Sequence, residues 1–164
     1  MNQANPRPMV AEPPPVIHGS FSVERIYRHP AARVFFAHAD MAATRRWRVE
    51  GEGFEILEHA MDFRVDGTEV AQFRYGDGPV IRMDTQYQAI EPDRRIVFSY
   101  RMAIGEAPVS VSLATIEITP VDGGSKLTFT EQGAYFGDPT ALAGREEGTR
   151  GLLESLAAEL DRRA

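Results

Sequence analysis

The middle of the chain alternates apolar and polar residues with a period of two. Turn signals cut this alternation into six segments. Residues 54–65 run to Asp66-Gly67, 68–75 to Gly76-Asp77-Gly78-Pro79, and 80–90 to Glu91-Pro92-Asp93. Residues 94–102 lead into Gly105, 109–119 run to Asp122-Gly123-Gly124, and 125–131 precede the last helix. Upstream, residues 21–28 read as a first strand. Pro30 opens a helix over 31–39, and a second short helix is expected over 41–47. The spacing then changes. Leu142, Arg145, Thr149, Leu152, Leu156 and Leu160 recur at steps of three or four, widened by Leu153 and Ala157, which predicts a long helix over 138–163. Asp138 is its expected N-cap and Pro139 its first helical residue. Gly144, Gly148 and Gly151 in its first half imply close backbone approach or vacated space, so a pocket is expected at that end.

The order strand, two helices, six strands, long helix implies an antiparallel meander. A sheet of that size twists and should curl around the long helix, which makes the class α+β. Strand parity then divides its faces. Leu57, His59, Met61, Phe63 and Val65 are expected inside. So are Ala71, Phe73 and Tyr75; Ile81, Met83, Thr85, Tyr87 and Ala89; Ile96, Phe98, Tyr100 and Met102; and Leu127, Phe129 and Glu131. The sixth strand is ambiguous: Val109, Val111 and Leu113 have one parity, Ala114, Ile116 and Ile118 the other. A bulge or a second covered surface, such as a contact between two copies of the chain, would explain the switch.

The concave face so defined is apolar with a few polar groups: His59, Tyr75, Thr85, Tyr87, Tyr100 and Glu131. Such a lining suits a small-molecule site and also an ordinary core with tyrosines at its rim. A carboxylate at Glu131 must be paired, hydrated or neutral. Arg145 on the inward stripe is a possible ion partner, and ligand contact is the other possibility. Replacing Tyr87 or Glu131 is expected to weaken ligand binding with little loss of fold.

Composition narrows the classes. The chain has 164 residues, 43% of them hydrophobic, and a net charge of −6, which suits one globular domain and disfavours nucleic acid or an anionic membrane as partner. It has no cysteine, which excludes disulfides, a thiol nucleophile and a thiolate metal site and fits a cytoplasmic protein. No apolar run approaches membrane-spanning length. Five prolines (Pro6, Pro8, Pro13, Pro14 and Pro15) mark residues 1–18 as a separate arm, extended beside the domain or laid on a neighbouring subunit. Residues 19–164 form the domain. No nucleophile elbow, phosphate loop, dinucleotide fingerprint or metal-ligand spacing among His18, His29, His38 and His59 is present, and neither cofactor nor metal is expected. Arg45, Arg46 and Arg48 around Trp47 form a basic cluster, either surface charge or an anion contact.

Several stretches, in order, carry a family resemblance. They are the strand over 21–28, the helix opening at Pro30, Arg46-Trp47, Asp62-Phe63-Arg64-Val65-Asp66-Gly67, Glu91-Pro92-Asp93-Arg94-Arg95-Ile96 and Gly123-Gly124-Ser125-Lys126-Leu127-Thr128-Phe129-Thr130. Over about residues 20–162 the chain resembles the START-like (SRPBCC) superfamily, in the branch of the activator of the heat-shock-protein-90 ATPase. The resemblance implies a helix-grip fold, a curved antiparallel sheet wrapping a long C-terminal helix over a hydrophobic cavity. Where members carry a second tryptophan this chain has Arg48. Where many carry Gly-Trp it has Gly148-Thr149, a change that would enlarge a cavity. Where the usual turn has a second glycine it has Thr68.

The expected function is binding of a hydrophobic or amphipathic small molecule, lipid-, aromatic- or polyketide-like. The ligand-facing set is Trp47, His59, Phe73, Met83, Tyr87, Phe98, Tyr100, Phe129, Glu131, Arg145 and Thr149. The alternative is a cyclase- or hydrolase-type enzyme with Glu131 or His59 as acid/base. Modulation of a chaperone ATPase is a third reading, associated with the branch name alone. A homodimer is expected from the sixth strand and from family habit.

Overall fold

The computed structural model describes residues 11–162. Its elements are β1 (Val16–Tyr27), α1 (Ala31–Ala39), α2 (Met41–Arg48), β2 (Phe54–Met61), β3 (Thr68–Tyr75), β4 (Ile81–Glu91), β5 (Arg95–Ile104), β6 (Ala107–Val121), β7 (Gly124–Phe136) and α3 (Ala141–Leu160). One antiparallel sheet has the order β1-β7-β6-β5-β4-β3-β2. Strands β2 to β7 form the meander expected from their turns. β1 closes the other edge by pairing with β7 from Val16↔Phe136 to Tyr27↔Ser125. The three helices pack together on the concave face, α3 lying nearest β1. This is the expected α+β helix-grip architecture.

β1 begins before the expected strand. Val16, Ile17 and His18 pair with Phe136, Tyr135 and Ala134, so the segment expected as an arm joins the sheet from Val16 onward. The Gly137 N–H donates to Pro15 O at 2.8 Å. Residues 1–10 of that segment lie outside the described residues. β7 enters the sheet close against the end of β1: a Cβ on Gly124 would lie 1.9 Å from Tyr27 O, which only glycine permits.

Several expected inward positions are not inward. β2 carries a bulge between Ile56 and Glu58, which turns Leu57 outward to 45% exposure. The strand ends at Met61, and a hydrogen-bonded turn through Asp62 and Arg64 leaves Val65 outside. Tyr75 is 64% exposed at the sheet rim, edge-on to Phe54. On β6 the register with β7 is continuous from Ser110 to Val121. Ser110, Ser112, Ala114, Ile116 and Ile118 face in, whereas Val111 and Leu113 face out. The apparent switch of parity is two inward serines, not a bulge in that stretch.

α3 begins at Ala141 with Thr140 as its N-cap. Asp138 instead closes the preceding turn, its Oδ1 accepting from the N–H and the hydroxyl of Thr140, each at 2.8 Å. The buried face is Thr149, Leu153, Leu156 and Leu160, and Leu152 lies outside it at 38% exposure. Gly144, Gly148 and Gly151 are exposed, and a Cβ on any of them would meet no atom within 4 Å. They make no close approach and vacate no interior space, so the expected pocket does not arise from them. Close approach occurs at Gly19 of β1 instead, where a Cβ would stand 2.3 Å from Leu142 of α3.

Candidate functional site

Two carboxylates are buried on the concave face. Glu131 of β7 has a fully enclosed side chain. Its Oε2 accepts from the Tyr100 hydroxyl at 2.8 Å. Its Oε1 accepts from Ser112 Oγ at 2.8 Å, Tyr135 Oη at 2.9 Å and Arg145 Nη1 at 3.0 Å. Arg145 hangs from the first half of α3 and spans to the sheet. Its Nη1 also donates to Tyr100 Oη, and its Nη2 donates to Ser110 Oγ at 2.7 Å and to Met102 Sδ at 3.1 Å. The guanidinium lies 5.4 Å from the Tyr100 ring centre and 5.5 Å from that of Tyr135. Burial, reinforced by the Glu131 charge, pushes the Tyr135 hydroxyl up to about 12 and moves Tyr100 in the same direction. Both phenols therefore remain donors to the carboxylate.

The second carboxylate is Glu69 of β3, 3% exposed. It accepts from His59 Nε2 at 3.0 Å, from Arg48 Nη1 at 3.3 Å to both oxygens, and from the Tyr87 hydroxyl. Burial opposes its charge, but Arg48 and the two hydrogen bonds outweigh it and hold the carboxyl down at about 2. The His59 ring is enclosed, and its Nδ1 has no partner. The tautomer with the proton on Nε2 is the one that leaves no buried N–H without an acceptor. Arg48 is the cation that makes a buried Glu69 tolerable.

An aromatic row joins the two clusters. Tyr87 and Phe98 have ring centres 6.4 Å apart, Phe98 and Tyr100 5.8 Å, and Phe63 lies edge-on to Tyr87. The expected loose end beneath α3 is thus occupied by Arg145 and its partners. Beside this polar floor the concave face is apolar and only half-buried. Pairing aligns Ile56 with Phe73 and Ile81, and Ala71 with Met83 and Met102. Phe73, Met83 and Met102 all retain solvent contact.

The expected ligand-facing residues thus separate into groups. Glu131, Arg145 and Tyr100 come together, as do His59 and Tyr87, with Phe98 between them. Phe73 and Met83 line the open strip. Trp47 belongs to the helix layer, donating its indole N–H to Ala37 O at 2.8 Å and packing against His38. Phe129 stacks on Phe21, and Thr149 is buried on α3. The basic cluster disperses: Arg45 pairs with Glu50, Arg46 with Glu159 and Arg48 with Glu69. Glu69, Ser110, Ser112 and Tyr135 were not foreseen. Parity with Ala71 and Phe73 marks Glu69, parity with Ala114 marks the serines, and Tyr135 lies on β7 beyond its expected end. Two hollows lie elsewhere. One of about 660 Å³ crosses the outer face at His18, Val111, Leu113 and Gln132, and one of about 320 Å³ lies between α2 and α3 beside Arg46 and Glu159.

A curved sheet gripping a long helix over a mixed apolar and polar concave face defines a START-like (SRPBCC) domain. The family model described as "Activator of Hsp90 ATPase homolog 1-like protein" matches residues 28–161, and the chain belongs to that family. It is similar to the crystal structure of the Mll3558 protein from Rhizobium loti, at 59% identity and a TM-score of 0.82 over 88% of this chain and 99% of that one. A putative uncharacterized protein from Rhizobium leguminosarum is 33% identical with a TM-score of 0.86, covering 91% and 98%. Protein CV1439 from Chromobacterium violaceum is 26% identical with a TM-score of 0.72, covering 88% and 98%. No curated protein matches the chain. Among the described residues no helix is long and apolar enough to cross a membrane.

Proposed function

We propose that the chain binds a hydrophobic or amphipathic small molecule on the concave face, between the sheet and the first half of α3. The observation that carries this reading is the half-buried strip of Phe73, Met83 and Met102 beside the Arg145–Glu131 cluster. Apolar walls supply affinity by burial, and a few fixed polar groups supply orientation. An acid/base role for Glu131 is the weaker alternative. Its two oxygens already accept four hydrogen bonds, so taking a proton from a substrate would mean giving some of them up. A cytoplasmic location accords with the absence of cysteine. A homodimer would cover Val111 and Leu113, 48% and 40% exposed on the outer face; light scattering that finds a monomer at high concentration removes it.

Native mass spectrometry of the purified protein, repeated under denaturing conditions, tests the binding proposal. A co-purifying small molecule released on denaturation supports it. A homogeneous apo mass, together with no binding of a neutral hydrophobic dye such as Nile red, overturns it.

A further inference from the structure

We infer that the concave site selects an uncharged amphiphile with an oxygen acceptor, which takes the Arg145 Nη2 hydrogen now directed at Met102 Sδ, and that it discriminates against carboxylates. The inference rests on the concave-face reading above.

Two features lead to it. The first is the balance of buried charge. Glu131 is matched by Arg145 and Glu69 by Arg48, each within salt-bridge distance. Neither cation is left to receive an anionic ligand. A carboxylate brought to Arg145 would add a second negative charge beside the enclosed Glu131, where little water screens it. The second feature is a mismatched donor. Arg145 Nη1 is directed at two oxygens, those of Tyr100 and Glu131, whereas Nη2 has one oxygen, Ser110 Oγ, and one thioether, Met102 Sδ at 3.1 Å. A thioether is a weak acceptor. A ketone, ester or amide oxygen at that place would improve the hydrogen bond without changing the charge. The position is reachable: Arg145 keeps 17% of its side chain exposed, and Met102 is half-buried. Met102 also pairs in register with Met83, so a chain or ring attached to the carbonyl would continue onto the apolar strip.

The test is displacement of Nile red from the wild-type protein at pH 8 by three ligands of similar length: 2-undecanone, methyl decanoate and sodium decanoate. The ketone and the ester should displace the dye at concentrations at least about tenfold below that required for decanoate. Met102→Leu, which removes the competing acceptor and keeps the bulk, should lower the ketone's inhibition constant several-fold relative to decanoate's, each corrected for the dye affinity measured on that variant. Decanoate displacing as well as the ketone, with Nile red bound, overturns the selectivity and leaves the concave-face site standing. Nile red failing to bind, or binding a Met83→Trp variant as well as wild type, removes the site itself and this inference with it.

Discussion

Arg145 of α3 and Glu131 of β7, with Nη1 and Oε1 3.0 Å apart, tie the last helix to the last strand through a charge pair that is almost entirely enclosed. Replacing a buried pair outright is often nearly neutral, whereas removing one partner strands the other charge. Glu131→Gln should therefore cost about 3–5 kcal/mol in urea unfolding. This changes the expectation that Glu131 could be replaced with little loss of fold. The double variant Glu131→Gln, Arg145→Met should lose clearly less than the sum of the two single losses. Additive losses would mean that the two groups are not coupled.

Acid should destabilise the protein in two stages. His38 is buried against Trp47, and burial lowers it from 6.5 to about 4. The unfolded chain therefore binds a proton between those values that the folded chain does not, and stability falls with pH across that window. Glu69 is held at about 2 against an ordinary 4.5, so its contribution is present above 4.5 and is lost as pH falls towards 2. His38→Gln should flatten the first stage by up to about 1.4 kcal/mol per pH unit and leave the second. Unfolding free energies measured from pH 7 to pH 3 decide this, and an unchanged slope between 6.5 and 4 contradicts it.

Gly144, Gly148 and Gly151 lie on the solvent side of α3 with room for a methyl group. Changing each to alanine should raise stability by about 0.5–1 kcal/mol, through helix propensity and a less flexible unfolded chain. The triple variant should show nearly additive gains in thermal midpoint. A loss at any one position would mean that this face is covered.

Leu152 and Leu153 are neighbours in sequence with opposite fates, 38% and 4% exposed. Leu153→Ala should cost about 2–5 kcal/mol, as a large-to-small change in a packed core does. Leu152→Ala should stay within about 0.5 kcal/mol of wild type. Equal losses in denaturant titrations would place the helix face wrongly.

The sequence by itself determined the element order, the strand count, the antiparallel meander and the inward placement of His59, Tyr87, Tyr100, Glu131 and Arg145. All of these follow from local periodicity and turn chemistry, which neighbouring residues carry between them. Parity marks Glu69, Ser110 and Ser112 as inward positions; the tertiary structure decided that these polar residues stay buried there while Val111 and Leu113 lie outside, that Leu153 and not Leu152 faces the core, and that the glycines of α3 face solvent. An apolar pattern identifies an interior only where the interior is apolar. At Glu69, Ser110 and Ser112 the inward residue is polar because a partner distant in sequence satisfies it: Arg48 and Tyr87 for Glu69, Arg145 for Ser110 and Glu131 for Ser112. Tyr87 and Ser112 reach their carboxylates once the strands pair, whereas Arg48 and Arg145 arrive only when α2 and α3 dock on the sheet.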